Sequence, residues 1–274
     1  MDAPKVKVSE EGKKRSYYKY YLKDIAEVPV EKQKILENPK GDPADVLRIE
    51  DRNRIFEPGY LAGEAGYYLL ENGTAVVANK TDFPGSKGEM LQWWFAWHGV
   101  EPTRYAIWDP HDHHGLEVSD EDRAKMIDPN LTPAQKCAGI HHTVYESLVP
   151  GEKPDHIEID FRDPGEMGFD TSKIFTENCS FIVCANTGLE APDGSMVPVV
   201  MMHMARDTED GCELRSRFWM GYHIIDGEPK KLLPDGIEFP EPMLKALLAH
   251  NFLEYTNLST ILPSVYAEEK DNWA

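Results

Sequence analysis

The fold is decided by residues 243–263, which read MLKALLAHNFLEYTNLSTILP. Apolar residues recur here at steps of three and four, the period of a helix with one buried face. Pro242 stands directly before the stretch, where proline suits the first turn of a helix, and Pro263 stands where a helix is expected to end. The stretch therefore predicts one long C-terminal helix between these two prolines.

The inward face of this helix carries two polar side chains. Met243, Leu247, His250 and Glu254 fall on the same face. Burial of an unpaired carboxylate costs several kcal/mol or forces its protonation, so Glu254 needs a cation or a proton beside it. A bound metal would meet this need. A hydrogen bond between His250 and Glu254, or from either of them to the sheet, is the alternative.

Several stretches before the helix have the composition of β-strands, with Asp, Gly and Pro turns between them. Strands in such succession predict an antiparallel sheet. A curved antiparallel sheet closed by a long C-terminal helix is an α+β helix-grip fold, which leaves a cavity suited to an aromatic ligand. The strands are expected at residues 73–78, 104–108, 140–149, 156–161, 179–186, 197–205 and 213–225.

The N-terminal part differs from the rest in composition. It is charged and interrupted by prolines, and a short helix is expected only near residues 31–36. We interpret residues 1–65 as an arm of short helices and loops that packs on the main body or on a partner subunit. Residues 66–274 then form the helix-grip domain.

The formal net charge of −19 over 274 residues restricts the partners. An acidic surface repels phosphate backbones and anionic lipid headgroups, so neither nucleic acid nor a membrane is an expected partner. No apolar run approaches the roughly 20 residues that span a bilayer, and the N-terminus lacks the apolar core of a signal peptide. We expect a cytoplasmic protein with a small-molecule ligand. Its four cysteines lack metal-type spacing and are expected as free buried thiols.

A second polar group, DPHDHH at residues 109–114, follows the strand expected at 104–108. Three histidines in four positions at a strand end are more than a surface loop requires, and neutral imidazole is a common metal ligand. We expect at least one of His111, His113 and His114 to face the site. A solvated polar turn is the alternative.

A third group lies in the strand expected at 140–149, where His142, Val144 and Glu146 share one face. If this face looks inward, Glu146 is a second buried carboxylate. Two glutamates and two histidines give an oxygen–nitrogen site without a thiolate, which suits zinc and leaves manganese or iron open.

Two further side chains are candidates for catalysis. His203 alternates with Met201 and Ala205 in an apolar run, and Tyr222 lies near the end of the strand expected at 213–225. A buried imidazole or phenol near a metal can act as a general acid or orient a phenolic substrate. For His203, a hydrogen-bonded core histidine is the alternative.

Together with QWWFAWH at residues 92–98 and LRSRFW at 214–219, these groups resemble the diacetylphloroglucinol and phloretin hydrolase family, from about residue 63 onward. The resemblance implies a Bet v 1-like helix-grip domain with an N-terminal helical part. It also implies zinc-dependent cleavage of the carbon–carbon bond between an acyl carbonyl and a phloroglucinol ring. The expected partner is therefore a small acylated phloroglucinol, and residues 66–274 are the expected catalytic domain. By analogy with the family, a homodimer formed through the arm is also expected.

The resemblance assigns the metal ligands residue by residue. The helix pair of the family falls on His250 and Glu254, its upstream histidine on His113, and its remaining glutamate on Glu146. These four are the expected zinc ligands. The competitors for the places of His113 and Glu146 are His111, His114 and His142.

The resemblance also bears on the substrate. Tyr105 falls on the substrate-contacting tyrosine of the family, and His203 and Tyr222 complete the expected catalytic set. Leu116 stands where the family has a substrate-binding asparagine, which indicates a substrate different from the diacetyl compound. Two other functions stay open: a metal-free carrier of an aromatic ligand, and a non-haem iron oxygenase with two histidines and a carboxylate.

Overall fold

The computed structural model describes residues 4–149, 151–191 and 193–273. Its strands are β1 (Gly66–Leu69), β2 (Ala75–Pro84), β3 (His113–Glu117), β4 (His141–Glu146), β5 (Asp155–Arg162), β6 (Phe181–Glu190), β7 (Met196–Asp207), β8 (Gly211–Met220), β9 (Tyr222–Ile225) and β10 (Glu228–Lys231). The first eight form one sheet in the order β1-β2-β8-β7-β6-β5-β4-β3, and β9 pairs with β10. Every pairing between these strands is antiparallel.

The helices are short apart from the last one. They are α1 (Tyr18–Tyr21), α2 (Val30–Glu37), α3 (Gly88–Trp97), α4 (Pro102–Ala106), α5 (Asp120–Ile127), α6 (Pro133–Cys137) and α7 (Glu241–Glu269). Single 3-10 turns or short 3-10 helices lie at Gly12–Lys14, Ile49–Phe56, His98–Val100 and Thr171–Lys173. The eight-stranded sheet and α7 form the expected α+β helix-grip fold, which confirms that prediction.

Helix α7 extends farther than its sequence indicates. It continues through Pro263 to Glu269, although a proline inside a helix costs about 3 kcal/mol. Packing beyond the proline offsets this cost: Val265 is fully buried, and the ring of Tyr266 lies edge-on to Trp93 with centroids 5.3 Å apart. The expected end at Pro263 is therefore wrong, because tertiary contacts outweigh a local preference.

The sheet separates two apolar cores. The inner core lies between the sheet and α7 and includes Phe218, Leu248 and Phe252. The outer core lies on the other face, where the 3-10 segment Ile49–Phe56 packs against residues such as Trp219. Alternation along β8 produces this division, because neighbouring side chains of a strand point to opposite faces.

Two details of the expected secondary structure are wrong. Residues 104–108, expected as a strand, lie mainly in α4, which begins at Pro102; proline is well suited to a first helical position. The run 213–225 is interrupted at Gly221, whose φ of +93° ends β8 and begins β9. Helix α3, which holds three tryptophans, was not predicted at all.

The four cysteines are free and buried, as expected. Among residues 4–149, 151–191 and 193–273, no helix has the length and apolar character needed to cross a membrane.

Candidate metal and substrate site

The C-terminal helix supplies the first two residues of the site. His250 and Glu254 lie one turn apart on α7, and their exposed fractions are only 5% and 6%. Both line the cavity between α7 and the sheet, as does Leu247. The helical periodicity therefore predicted their shared inward face correctly.

The edge of the sheet supplies two more residues. His113 opens β3, Glu146 ends β4, and the two are direct partners in the antiparallel register. His113 is buried, and Glu146 faces the cavity together with His142 and Val144. The face expected to look inward on β4 is thus the one that does so.

These four residues meet at one place. His113 Nε2 lies 3.5 Å from Glu254 Oε2, and His250 Nε2 lies 3.5 Å from Glu146 Oε2. One atom each of His113, His250 and Glu254 lie within 4.8 Å of one another, close enough to hold one metal ion. We refer to His113, Glu146, His250 and Glu254 as the four-ligand cluster.

The hydrogen bonds of this cluster are incomplete within the described residues. His113 Nε2 and both ring nitrogens of His250 are buried and have no hydrogen-bond partner there. His113 Nδ1 lies 3.2 Å from the carbonyl oxygen of Tyr105, so a proton on Nδ1 leaves the lone pair on Nε2 free. Metal-binding histidines are commonly oriented in this way. The donor set of two imidazoles and two carboxylates fits zinc.

The electrostatics of the cluster also favour a cation. Burial raises the pKa of Glu254 well above its usual value, and the Glu146 carboxylate raises it further. Burial lowers the pKa of His250, but Glu146 and Glu254 outweigh this effect and raise it to about 10. Burial, together with the nearby His250, lowers the pKa of His113 well below its usual value. The negative charge that draws a proton onto His250 would equally favour a metal cation in place of that proton.

Two aspartates extend the cluster, and the sequence analysis missed them. Asp109 and Asp112 are buried, and one atom of each lies within 4.8 Å of a His250 nitrogen and of the other. Burial, together with Asp109, raises the pKa of Asp112 to about 6. A usable signal was present, because both residues belong to the same DPHDHH segment as His113.

Tyr105 supports the cluster from α4. Its hydroxyl donates a hydrogen bond to Glu146 Oε1. Its ring stacks on the imidazole of His113 with centroids 4.0 Å apart. The structure thus brings Tyr105 to the site, although it lies on a helix instead of the expected strand.

His203 also faces the cavity. Its Nδ1 lies 2.7 Å from Ser216 Oγ, and the Tyr255 hydroxyl lies 3.2 Å from its ring nitrogens. Burial lowers the pKa of His203 to about 3, so the imidazole is neutral near pH 7. His203 therefore has the hydrogen bonds of a core histidine and a place in the cavity wall at once.

Tyr222 is not brought to the cavity. It packs in the outer core, on the opposite face of the sheet, and its hydroxyl accepts a hydrogen bond from Asn72 Nδ2. The reason is the break at Gly221, which changes the alternation that the uninterrupted strand would have had. We therefore do not retain Tyr222 as a catalytic candidate.

The competing histidines are placed differently from His113. His114 is exposed and its Nε2 lies 2.8 Å from Ser147 Oγ. His111 is half-buried and its backbone N–H donates to Asp109 Oδ1. His142 lines the cavity and contacts the ring of Phe161 edge-on. None of these three belongs to the close metal-binding groups found among the described residues.

The cavity beside the cluster has mostly apolar walls. Its sheet side and helix side contribute Phe95, Val144, Leu148, Ile157, Ile159, Phe161, Leu189, Val199, Met201, Phe218, Met220 and Leu247. Polar groups in the wall that the sequence analysis did not single out include His98, Asn251 and Tyr255. An apolar chamber with a few convergent polar groups at one place is typical of a site for an aromatic small molecule.

Comparison with known proteins identifies the family of the chain. The family model described as "DAPG hydrolase PhiG domain" matches residues 47–267. Phloretin hydrolase of Eubacterium ramulus is 40% identical over 283 residues, covering 100% of this chain and 98% of the relative. A 2,4-diacetylphloroglucinol hydrolase of Pseudomonas protegens is 30% identical over 266 residues, covering 93% and 84% of the two chains.

Solved structures are more remote. Ara h 8.0201 superposes with a TM-score of 0.42 at 8% identity, covering 70% of this chain and 99% of that one. The family match spans most of the chain, and the two hydrolases align with it over nearly its whole length. The chain therefore belongs to the DAPG hydrolase family.

Proposed function

We propose that the protein is a zinc-dependent hydrolase that cleaves the bond between the acyl carbonyl carbon and the ring of an acylated phloroglucinol. Membership of the family makes the chain a carbon–carbon bond hydrolase acting on ketones of the phloroglucinol type. We further propose phloretin as the substrate, with phloroglucinol and 3-(4-hydroxyphenyl)propionate as products. The full-length likeness to a phloretin hydrolase supports this choice.

One observation carries the proposal: buried imidazole nitrogens without hydrogen-bond partners, among the described residues, lie beside two carboxylates in an apolar cavity. His113, Glu146, His250 and Glu254 would hold the zinc ion. When bound, zinc supplies a Lewis acid for oxygen atoms of the reactants. A carrier of an apolar ligand gains nothing from this arrangement, because unpaired buried polar groups cost stability.

The residues of the chain bind and orient the substrate. The apolar walls enclose the acyl chain and keep bulk water from the ring. His203 is neutral and hydrogen-bonded to Ser216 and to the hydroxyl of Tyr255, so it can bind a ring hydroxyl and move a proton. Tyr105 fixes Glu146 through its hydroxyl and fixes the ring plane of His113 by stacking.

The reaction balances with water alone. Oxygen from water forms a bond to the acyl carbon, and the bond from this carbon to the ring breaks. The electron pair of the broken bond stays on the ring carbon, which takes up a proton and becomes C–H. A keto tautomer of the ring stabilises this charge, and His203 with Tyr255 is placed in the cavity wall to pass the proton.

The test is to incubate the purified protein with phloretin and with 2,4-diacetylphloroglucinol, with and without a chelator. We expect phloroglucinol from phloretin, loss of activity with the chelator, and recovery with added zinc. Metal analysis of the protein as purified accompanies the assay. Iron instead of zinc, or no release of product from either compound, would overturn the proposal.

We also propose that the chain acts in the cytoplasm as a homodimer formed through residues 1–65, with residues 66–274 as the catalytic domain. The acidic charge supports a role away from anionic membranes. Light scattering of the full chain tests the dimer. A monomer in the full-length sample contradicts it.

A further inference from the structure

A buried lysine of the N-terminal part lies on the inner side of the sheet. Lys32 in α2 is 8% exposed, and its Nζ lies 2.6 Å from Thr81 Oγ1 and 3.4 Å from Asn79 Oδ1. The same Nζ lies 4.8 Å from the centre of the Phe252 ring. Its hydrogen-bond acceptors are thus neutral groups of β2. Burial lowers the pKa of Lys32 to about 7, so keeping an ammonium here has a cost in stability.

From Lys32 a chain of hydrogen bonds leads to the four-ligand cluster. Asn79 Nδ2 donates to Asn251 Oδ1 over 2.9 Å, and Asn251 Nδ2 donates to Glu254 Oε1 over 2.7 Å. Asn79 is fully buried and Asn251 is 1% exposed. This chain of hydrogen bonds therefore connects α2 through β2 to α7, and its two amide side chains are shielded from solvent.

The direction of this hydrogen-bond chain follows from Lys32 together with Thr81, whose hydroxyl also donates to Asn79 Oδ1 over 3.3 Å. A lysine ammonium has donors only, so it fixes the oxygen of the Asn79 amide toward itself and the N–H₂ group toward Asn251. Asn251 must then accept through its oxygen and present its own N–H₂ group to the carboxylate. If either amide were reversed, two donors or two acceptors would face each other in a buried place, which is costly.

We propose that Lys32, Asn79 and Asn251 are positioning residues that orient Glu254 for the metal. The proposal rests on the proposed function, because it takes Glu254 as a zinc ligand. The amide of Asn251 holds Oε1 and leaves Oε2, which lies 3.5 Å from His113 Nε2, directed to the metal site. Groups that hydrogen-bond a metal ligand in this way raise metal affinity, since the ligand is ordered before the metal arrives.

The test measures the zinc affinity of the full chain by competition with a chromophoric chelator. Asn251→Ala is expected to weaken zinc binding by about 10- to 100-fold, the usual range for direct partners of metal ligands. Lys32→Met, which acts through two amides, is expected to weaken it by about three- to tenfold, below that range. Lys32→Met keeps most of the aliphatic stem. Lys34→Met, an exposed lysine of the same helix, is the matched control and should bind zinc like the wild type.

The double variant separates positioning from mere structural damage. If Lys32 acts on Glu254 only through these hydrogen bonds, Asn251→Ala already interrupts them. Adding Lys32→Met should then weaken zinc binding no further. The thermal midpoint of the metal-free variants is measured alongside. Wild-type affinity in Lys32→Met, or losses that add in full in the double variant, would overturn the proposal.

Glu254→Gln serves as the reference variant that distinguishes failure of the positioning proposal from failure of the proposed function. If it loses zinc while Asn251→Ala and Lys32→Met keep it, the positioning chain is refuted and the metal site stands. If the wild type itself binds no zinc and Glu254→Gln is fully active, the proposed function fails and the positioning chain fails with it.

Discussion

Two buried polar clusters lie on opposite faces of the same sheet, and they differ in how their buried charged groups are paired. On the outer face, Glu64 accepts hydrogen bonds from Arg215 over 2.5 and 3.0 Å and from Arg217 over 2.8 Å. We call these three residues the arginine–glutamate cluster. On the inner face, the four-ligand cluster has imidazole nitrogens that lack partners among the described residues.

The difference teaches what each cluster is for. In the arginine–glutamate cluster, two cations surround one carboxylate, and Arg215 also donates to the carbonyl oxygen of Ile55 over 2.9 Å. This cluster ties Glu64, before the sheet, to β8, and of its guanidinium nitrogens Arg217 Nε lacks a hydrogen-bond partner among the described residues. In the four-ligand cluster, burial lowers the pKa of His250, but the Glu146 and Glu254 carboxylates stabilise its protonated form and raise the pKa to about 10. The first cluster is suited to stability and the second to binding.

The largest expected effect tests the four-ligand cluster on the inner face. His250→Ala should lower kcat/KM for phloretin by about 1,000-fold, equivalent to about 4 kcal/mol, because a ligand of the Lewis acid is lost. Steady-state assays at saturating and limiting substrate measure it. Lys245→Ala, an exposed residue of the same helix, is the control. Full activity with bound zinc in His250→Ala would show that the site assignment is wrong.

The next effect tests the arginine–glutamate cluster on the outer face. Glu64→Ala should lower the free energy of unfolding by about 3–5 kcal/mol, since two buried guanidinium groups lose their carboxylate. Urea unfolding of the metal-free protein measures it. Glu57→Ala, which removes an exposed ion pair with Arg54, should change the free energy by less than about 1 kcal/mol. The comparison breaks down if Glu64→Ala abolishes zinc binding in protein that is still folded.

The pH dependence of stability sharpens the same comparison. Burial raises the pKa of Glu64, but Arg215 and Arg217 outweigh it and lower the pKa from 4.5 to about 2. A lowered pKa means that the carboxylate contributes stability above pH 4.5, about 3 kcal/mol, which is lost as the pH falls toward 2. Unfolding free energies of wild type and Glu64→Gln should therefore converge over this range. Curves that stay parallel contradict the assignment.

The smallest expected effect concerns a contact of the inner cluster. Tyr105→Phe keeps the ring on His113 but removes the hydrogen bond to Glu146. We expect zinc affinity to fall by about tenfold, the lower end for such partners. Tyr145→Phe, one residue before Glu146 and directed to the other face of β4, is the matched control. Equal affinities of both variants would mean that the Tyr105 hydroxyl does not orient Glu146.

Much of the inner cluster could be predicted from sequence, and the parts that could not have physical reasons. Helical and strand periods placed His250 with Glu254, and His142 with Glu146, on common faces, because side-chain direction depends only on local backbone geometry. The strand expected at 104–108 is a helix, since a short apolar run does not distinguish the two. Tyr222 lies on the other face because Gly221 breaks the strand.

The sequence by itself determined the long C-terminal helix, the antiparallel strands before it, the acidic charge and the resemblance to the family. These follow from local patterns and from residue identity. The tertiary structure decided which atoms meet: His113 opposite Glu146 in the register, Asp109 and Asp112 near His250, and Lys32 connected to Glu254 through two amides. Such contacts join residues far apart in the chain, so they depend on strand register and on how α7 packs, which no local period encodes.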